Sequence, residues 1–236
     1  MYYDIRSLRQ FYQSALGQKT IKILQKVIKD SYPPHKNDVI IGLGYTPPYL
    51  NDLTKLGKII IPLMPAYQGA ETWPTAYKNC TMLVDETKLP LNDETVDYVL
   101  LIHMLETAND ENKLLQEIWR ILKPSARVII IVPHRLSYWI NREETPFGNG
   151  RPYSFNQIKK LLYDNNFSSI KIKESLYKMF NYPWLPESWL TKIKYFLPIF
   201  GGVLIIEAEK SLLQPITEKS KFIRKTSPKY LFPIQG

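Results

Sequence analysis

The order of short apolar runs and amphipathic stretches predicts an α/β domain built on a doubly wound sheet, its faces covered by crossover helices. Three observations lead there. Apolar runs of strand length recur at about 38–43, 58–63, 81–84, 96–102, 126–132, 168–175 and 201–208, which makes a seven-stranded sheet. Helical stretches fit between them at about 47–56, 111–122 and 154–165. The chain has 236 residues, of which 44% are hydrophobic, enough for one well-buried core and no demand for a second domain.

Ahead of the first strand, Leu8, Phe11, Tyr12, Ala15 and Leu16, then Ile21, Leu24, Val27 and Ile28, recur largely every three or four residues. That spacing predicts an amphipathic helix broken near Gly17. Pro33 and Pro34 end it, because consecutive prolines cannot continue a helix. Within the body, Pro47 is expected in the first turn of its helix and Ser154 is expected to cap another. The stretch 176–199 carries Tyr177, Phe180, Tyr182, Trp184, Trp189, Tyr195 and Phe196, and reads as an aromatic cover inserted before the last strand. The expected organisation is a helical extension over 1–37, a central domain over 38–209 and a basic tail over 210–236.

The formal charge of +9 is concentrated at the two ends. Residues 1–37 and 210–236 each carry a net +5, while the middle carries −1. Basic ends on a near-neutral body suit an anionic partner such as RNA, or are simply solvated termini. One cysteine, Cys80, excludes an internal disulfide framework and a cysteine metal cluster; it is expected to be a small buried residue in a reducing cytoplasm. No apolar run approaches the ~20 residues that span a bilayer, so a cytoplasmic protein without a membrane span or bound metal is expected.

The segment from Asp85 to Pro133 reads DETKLPLNDETVDYVLLIHMLETANDENKLLQEIWRILKPSARVIIIVP. Asp85, Leu89, Pro90, Asp97, Leu105, Glu106, Leu122, Lys123 and Pro124 stand in the order and spacing of the central half of class I S-adenosylmethionine-dependent methyltransferases, which the segment resembles. Upstream, Asp38-Val-Ile-Ile-Gly-Leu-Gly-Tyr45 is similar to that family's first strand and glycine-rich turn. The resemblance implies a Rossmann-like sheet, mostly parallel with the last strand antiparallel, and S-adenosylmethionine as cofactor. It implies cofactor contacts from Gly42, Leu43, Gly44, Met64, Asp85, Glu86 and Ile102, with the Asp85 carboxylate taking the adenine amino group.

Departures from the family pattern fall on the cofactor side. Ile40 stands where an acid is common, Thr46 where a third glycine is common, and Ser125 and Ala126 replace two further glycines. The second strand, Ile59-Ile-Ile-Pro-Leu-Met-Pro65, has no acid at its end for the ribose hydroxyls; none occurs before Glu71, which leaves Gln68 or backbone groups to hold the ribose. Methyl transfer from a sulfonium is an in-line displacement that needs alignment, and a base only when the nucleophile is protonated. His103, after the fourth strand, is the candidate base, since an imidazole titrates near neutrality. His134, Arg135, Phe147, Arg151 and Tyr153 are expected to contact substrate at the same rim, the last three from a mobile loop over 143–153. The expected function is methyl transfer to an unidentified acceptor. The alternatives are a non-catalytic methyltransferase-like binder of RNA or protein and, less well matched, a nicotinamide dehydrogenase, for which Tyr45-Thr-Pro-Pro48 breaks the glycine pattern.

Overall fold

The computed structural model describes residues 4–31, 37–51, 53, 59–74, 78–176 and 201–211. The aromatic stretch beyond Leu176 and the tail beyond Ser211 lie outside the described residues.

Seven strands form one sheet: β1 (Val39–Gly44), β2 (Ile59–Pro65), β3 (Met82–Val84), β4 (Val96–Ile102), β5 (Leu122–Pro133), β6 (Phe167–Ser175) and β7 (Val203–Lys210). Their order is β3-β2-β1-β4-β5-β7-β6. β1 pairs in parallel with β2 and β4, and β7 runs antiparallel to both β5 and β6. The strand directions are those expected. The middle strands read as unbroken apolar runs because both faces are covered. On β1, Ile41 and Leu43 pack into one core with Leu114, Leu115, Ile118, Ile158 and Leu162. Ile40 joins the opposite core with Leu8, Tyr12, Leu24 and Tyr49.

Five helices flank the sheet: α1 (Ile5–Gln13), α2 (Ala15–Ser31), α3 (Pro47–Leu50), α4 (Glu111–Ile121) and α5 (Phe155–Asp164). Asp4 caps α1 by accepting from the Ser7 N–H, and Asp110 caps α4 by accepting from that of Lys113. Ser154 and Gln157 form the reciprocal pair that starts α5, as the sequence predicts for Ser154. The N-terminal break is not at Gly17 but at Ser14, whose extended backbone (φ −70°, ψ 161°) separates α1 from α2. Gly17 lies inside α2, where a Cβ would come within 2.1 Å of the Phe11 carbonyl oxygen; its small size permits the two helices to meet. α3 is described only over four residues, shorter than the stretch expected over 47–56.

Asp97 and Lys123, two residues of the recognised pattern, hold strand starts together. The Asp97 carboxylate accepts from the Val39 N–H and from Lys123 Nζ, each at 2.8–2.9 Å, and so ties β1, β4 and β5 at their entry. Arg120 secures the turn before β4 by donating to the Leu89 and Leu91 carbonyls and to Asp93 and Glu117. Such contacts fix the lower edge of the sheet and leave its carboxyl end for ligands.

Candidate functional site

β1 leaves the sheet at Gly44, which adopts φ +87°. A Cβ there would lie 2.2 Å from the Ile102 carbonyl oxygen, the same oxygen that accepts the Tyr45 N–H at 2.9 Å. Only glycine fits a left-handed residue pressed against the neighbouring strand. At Gly42 the space is taken by a side chain: Thr46, in place of the third glycine, puts its hydroxyl 2.2 Å from where a Gly42 Cβ would stand. Leu43 points into the core beneath the sheet, so only its backbone faces this turn.

The acid that β2 lacks arrives from the loop after it. The chain turns at 66–68, passes Gly69 at φ +87° and brings Glu71 back to the strand end, where its N–H donates to the Met64 sulfur at 3.4 Å. Its carboxylate accepts from Tyr45 Oη at 2.7 Å and from Arg9 Nε at 3.1 Å. Burial, reinforced by this bond, pushes the Tyr45 phenol well above its ordinary range. Glu71, Tyr45, Arg9, Trp73, Pro47 and Asn51 line a cleft of about 450 Å³ between the glycine turn, α1 and α2. Sequence reasoning passed over Glu71 as too far along the chain; Gly69 was the signal that the chain could fold back. Gln68, the alternative, donates to the His103 carbonyl and to no ligand position in the cleft.

His103 follows β4 in a left-handed backbone conformation, φ 53°, which costs a side-chain-bearing residue energy and marks an over-determined position. Its ring is buried beneath α1, with Nε2 2.7 Å from Tyr12 Oη and Nδ1 3.2 Å from Glu106 Oε1. Tyr12 Oη also accepts from Tyr49 Oη at 2.9 Å. Burial raises the pKa of both phenols well above the ordinary range, so each stays protonated and can donate. Phe147 packs against His103 with ring centroids 4.8 Å apart. The candidate base, one expected substrate contact and two tyrosines therefore form one buried cluster.

The remaining expected residues divide. Asp85 is exposed and its Oδ1 accepts from the N–H and hydroxyl of Thr87, bonds that hold its carboxyl below the usual range. Glu86 and Ile102 are buried, and Met64 is fully buried in the core under α1. His134 is buried against Phe155, and burial pushes its imidazole below the ordinary value. Arg135, Arg151 and Tyr153 line a second cleft of about 280 Å³ beside Glu111 and α5, away from the first. Arg151 pairs with Glu111, which also accepts from Tyr153 Oη. One rim gathering all five substrate candidates is thus not what the structure shows: the loop that carries them is split by the packing of Phe147 into the core and the Arg151 N–H onto the Glu106 carbonyl. Within that loop Pro146–Gly148 forms a 3-10 turn, preceded by another over Tyr138–Asn141. Cys80 is also exposed, contrary to expectation, and belongs to neither core.

Among the described residues no helix is long and apolar enough to cross a membrane, and no three His, Cys, Asp or Glu are grouped to hold a metal ion. Residues 40–130 match the family profile described as a methyltransferase domain. No curated protein matches the chain in sequence. Solved structures are similar in fold. A Thermotoga maritima S-adenosylmethionine-dependent methyltransferase, described as a possible histamine N-methyltransferase, superposes with a TM-score of 0.65 at 19% identity over 88% of this chain and 96% of its own. An Archaeoglobus fulgidus S-adenosylmethionine-dependent methyltransferase gives 0.62 at 18% identity over 88% and 100%. A Haemonchus contortus phosphoethanolamine N-methyltransferase, solved with phosphomonomethylethanolamine and S-adenosylhomocysteine, gives 0.57 at 14% identity over 88% and 57%. Residues 40–130 thus form a methyltransferase domain, and the sheet has the fold of these S-adenosylmethionine-dependent methyltransferases.

Proposed function

We propose that the protein is an S-adenosylmethionine-dependent methyltransferase that binds its cofactor across the carboxyl ends of β1 and β2. The observation that carries this reading is the cleft just past the glycine turn in which the Glu71 carboxylate stands with Tyr45 and Asn51. The residues fit the group. A carboxylate with two acceptor oxygens suits paired ribose hydroxyls, in place of the bonds that Glu71 accepts here from Tyr45 and Arg9. On this reading Asp85, in the loop after β3, would take the adenine amino group with the Glu86 backbone beside it, and Met64 would support the ribose end. The bound cofactor supplies an electrophilic methyl on sulfur; the chain supplies alignment and exclusion of water. On this reading residues 38–209 form the catalytic body, 1–37 a helical extension over the site and 210–236 a basic tail.

Titration calorimetry of the full chain with S-adenosylmethionine tests it. Saturable binding is expected, weakened ~10- to 100-fold by Glu71→Ala through the loss of two hydrogen bonds to a charged acceptor. Absence of heat at millimolar cofactor overturns the proposal. A second reading, capture of an anionic partner such as RNA, draws on one observation: Lys19, Lys22, Lys26 and Lys29 are exposed along α2. Such binding would weaken steeply with salt and would not need the cofactor.

A further inference from the structure

We infer that His103, oriented by Glu106, is the base that deprotonates an aromatic hydroxyl acceptor, and that the Tyr12 phenol occupies the acceptor's slot in this structure. The inference rests on the methyl-transfer reading above and names its substrate class.

The hydrogen bonds settle which nitrogen is free to act. A Glu106 carboxylate at Nδ1 calls for the ring proton there, and Tyr12 Oη, which accepts from Tyr49 Oη, has its own proton to give to His103 Nε2. Nε2 is then an acceptor, the proton sits on Nδ1, and Nδ1 donates to Glu106 Oε1. This tautomer presents a lone pair to a phenolic O–H. The pair is deeply enclosed, with side-chain exposures of 3% for His103 and 1% for Glu106. Glu106 Oε2 has no hydrogen-bond partner among the described residues. A buried carboxylate with a spare oxygen is costly in a resting protein and is useful where a positive charge appears beside it.

The slot itself is shaped for a ring. Tyr12 stacks on Tyr45 (centroids 5.3 Å apart, planes 20° apart) and meets Tyr49 edge-on at 5.8 Å, with His103 at its hydroxyl end. It is delivered by α1, a helix joined to α2 through the extended Ser14 and pinned over the site by the Ile5 N–H to Gln68 carbonyl bond and the Arg9–Glu71 pair. The Arg9–Glu71 pair is at the open margin, whereas Gln68, Leu8 and Phe11 are buried, so an acceptor of the same chemistry enters only when α1 lifts and withdraws Tyr12. The reaction balances within the site. The acceptor O–H proton passes to Nε2, the oxygen electron pair forms the new C–O bond to the methyl, and the C–S bond breaks with its electrons remaining on sulfur. The products are an aryl methyl ether, a neutral thioether and an imidazolium held by Glu106; the proton then leaves to water.

The test has two arms. In the first, Tyr12→Ala, which removes the ring from a helix that tolerates alanine, is titrated with phenol and with toluene in the absence of cofactor. Phenol is expected to bind at least ~10-fold more tightly to Tyr12→Ala than to the parent, and ~10-fold more tightly than toluene, which leaves His103 and Tyr49 unpaired. Nitrogen-15 spectra of His103 report the Nδ1–H tautomer in the parent and its loss in Glu106→Gln, a signature that a packing role would not produce. Equal binding of phenol and toluene, or an Nε2–H tautomer in the parent, overturns the inference.

In the second arm the full parent chain with S-adenosylmethionine is offered phenols, primary alkyl alcohols and alkyl amines, and products are weighed by mass spectrometry. Methyl ethers of phenols are expected, with kcat lowered ~100-fold or more by His103→Gln at little change in KM. Methylation of alcohols or amines alone, or of none, overturns it, and this arm decides if Tyr12→Ala does not fold. Failure of cofactor binding with phenol still held by Tyr12→Ala removes the methyl-transfer reading and leaves the slot.

Discussion

Gly42 and Gly44 look interchangeable in the sequence, yet the structure assigns them unequal costs on replacement by alanine. At Gly44, alanine must hold φ +87°, a left-handed conformation that costs about 1–2 kcal/mol. Its Cβ would stand 2.2 Å from the Ile102 carbonyl oxygen, where ordinary contact begins at 3.4 Å, so backbone must move by roughly an ångström. The oxygen that must retreat is the acceptor of the Tyr45 N–H bond, and losing that bond adds about 1 kcal/mol. With about 1–3 kcal/mol for overpacking, Gly44→Ala should cost about 3–6 kcal/mol. Gly42→Ala meets the Thr46 hydroxyl at 2.2 Å, a side chain able to turn away, and should cost about 1–3 kcal/mol. Thr46 Cβ at 2.8 Å and Leu50 Cδ1 at 2.9 Å also crowd that position, so Gly42→Ala/Thr46→Gly should recover part of the cost, whereas no side-chain trimming rescues Gly44→Ala. Urea unfolding, comparing midpoints at constant slope, measures all three. A Gly44→Ala variant no less stable than Gly42→Ala would refute the close approach of β1 to β4 on which the turn geometry depends.

Two further outcomes are expected. Burial lowers the His134 imidazole from its free value of 6.5, against the opposing pull of Glu174 at 4.0 Å, so the unfolded chain binds its proton first as pH falls. Its contribution to stability is complete above about pH 6.5 and shrinks as pH drops below that. The unfolding midpoint of the parent should therefore fall from pH 7 to pH 5 more steeply than that of His134→Asn; equal slopes would show that the histidine is not held neutral. Cys80 is free and exposed, so a thiol reagent such as dithionitrobenzoate should modify one equivalent in the native protein without denaturant. Modification only after unfolding would contradict its position.

The seven strands and the helices between them were legible because apolar runs and helical periods alternate along the chain; their order in the sheet came from the structure. The Asp85-to-Pro133 pattern was legible for a related reason: Asp97, Lys123, Leu89 and Arg120 serve contacts between neighbouring elements at short range. The ends of elements were less so. The helix break falls at Ser14 because its backbone turns there, while Gly17, the residue that stands out in the sequence, answers a packing need between two helices.

What the sequence determined by itself is the sheet, its two apolar cores and the glycine turn, all of which follow from periodicity and local backbone preference. Only the tertiary structure decided which polar groups meet. Glu71 reaches the end of β2 because Gly69 lets the loop reverse, and Tyr12 reaches His103 because α1 crosses the carboxyl end of the sheet, 91 residues away in the chain. Glu106, three residues past His103, lay in plain sight as a pattern residue; its burial against that ring, with one oxygen unpaired, depends on the 143–153 loop closing over it. The reason is physical: apolar burial acts through residue type and period, but a hydrogen bond requires two atoms within about 3 Å, and that distance is set by the packing of elements remote in sequence.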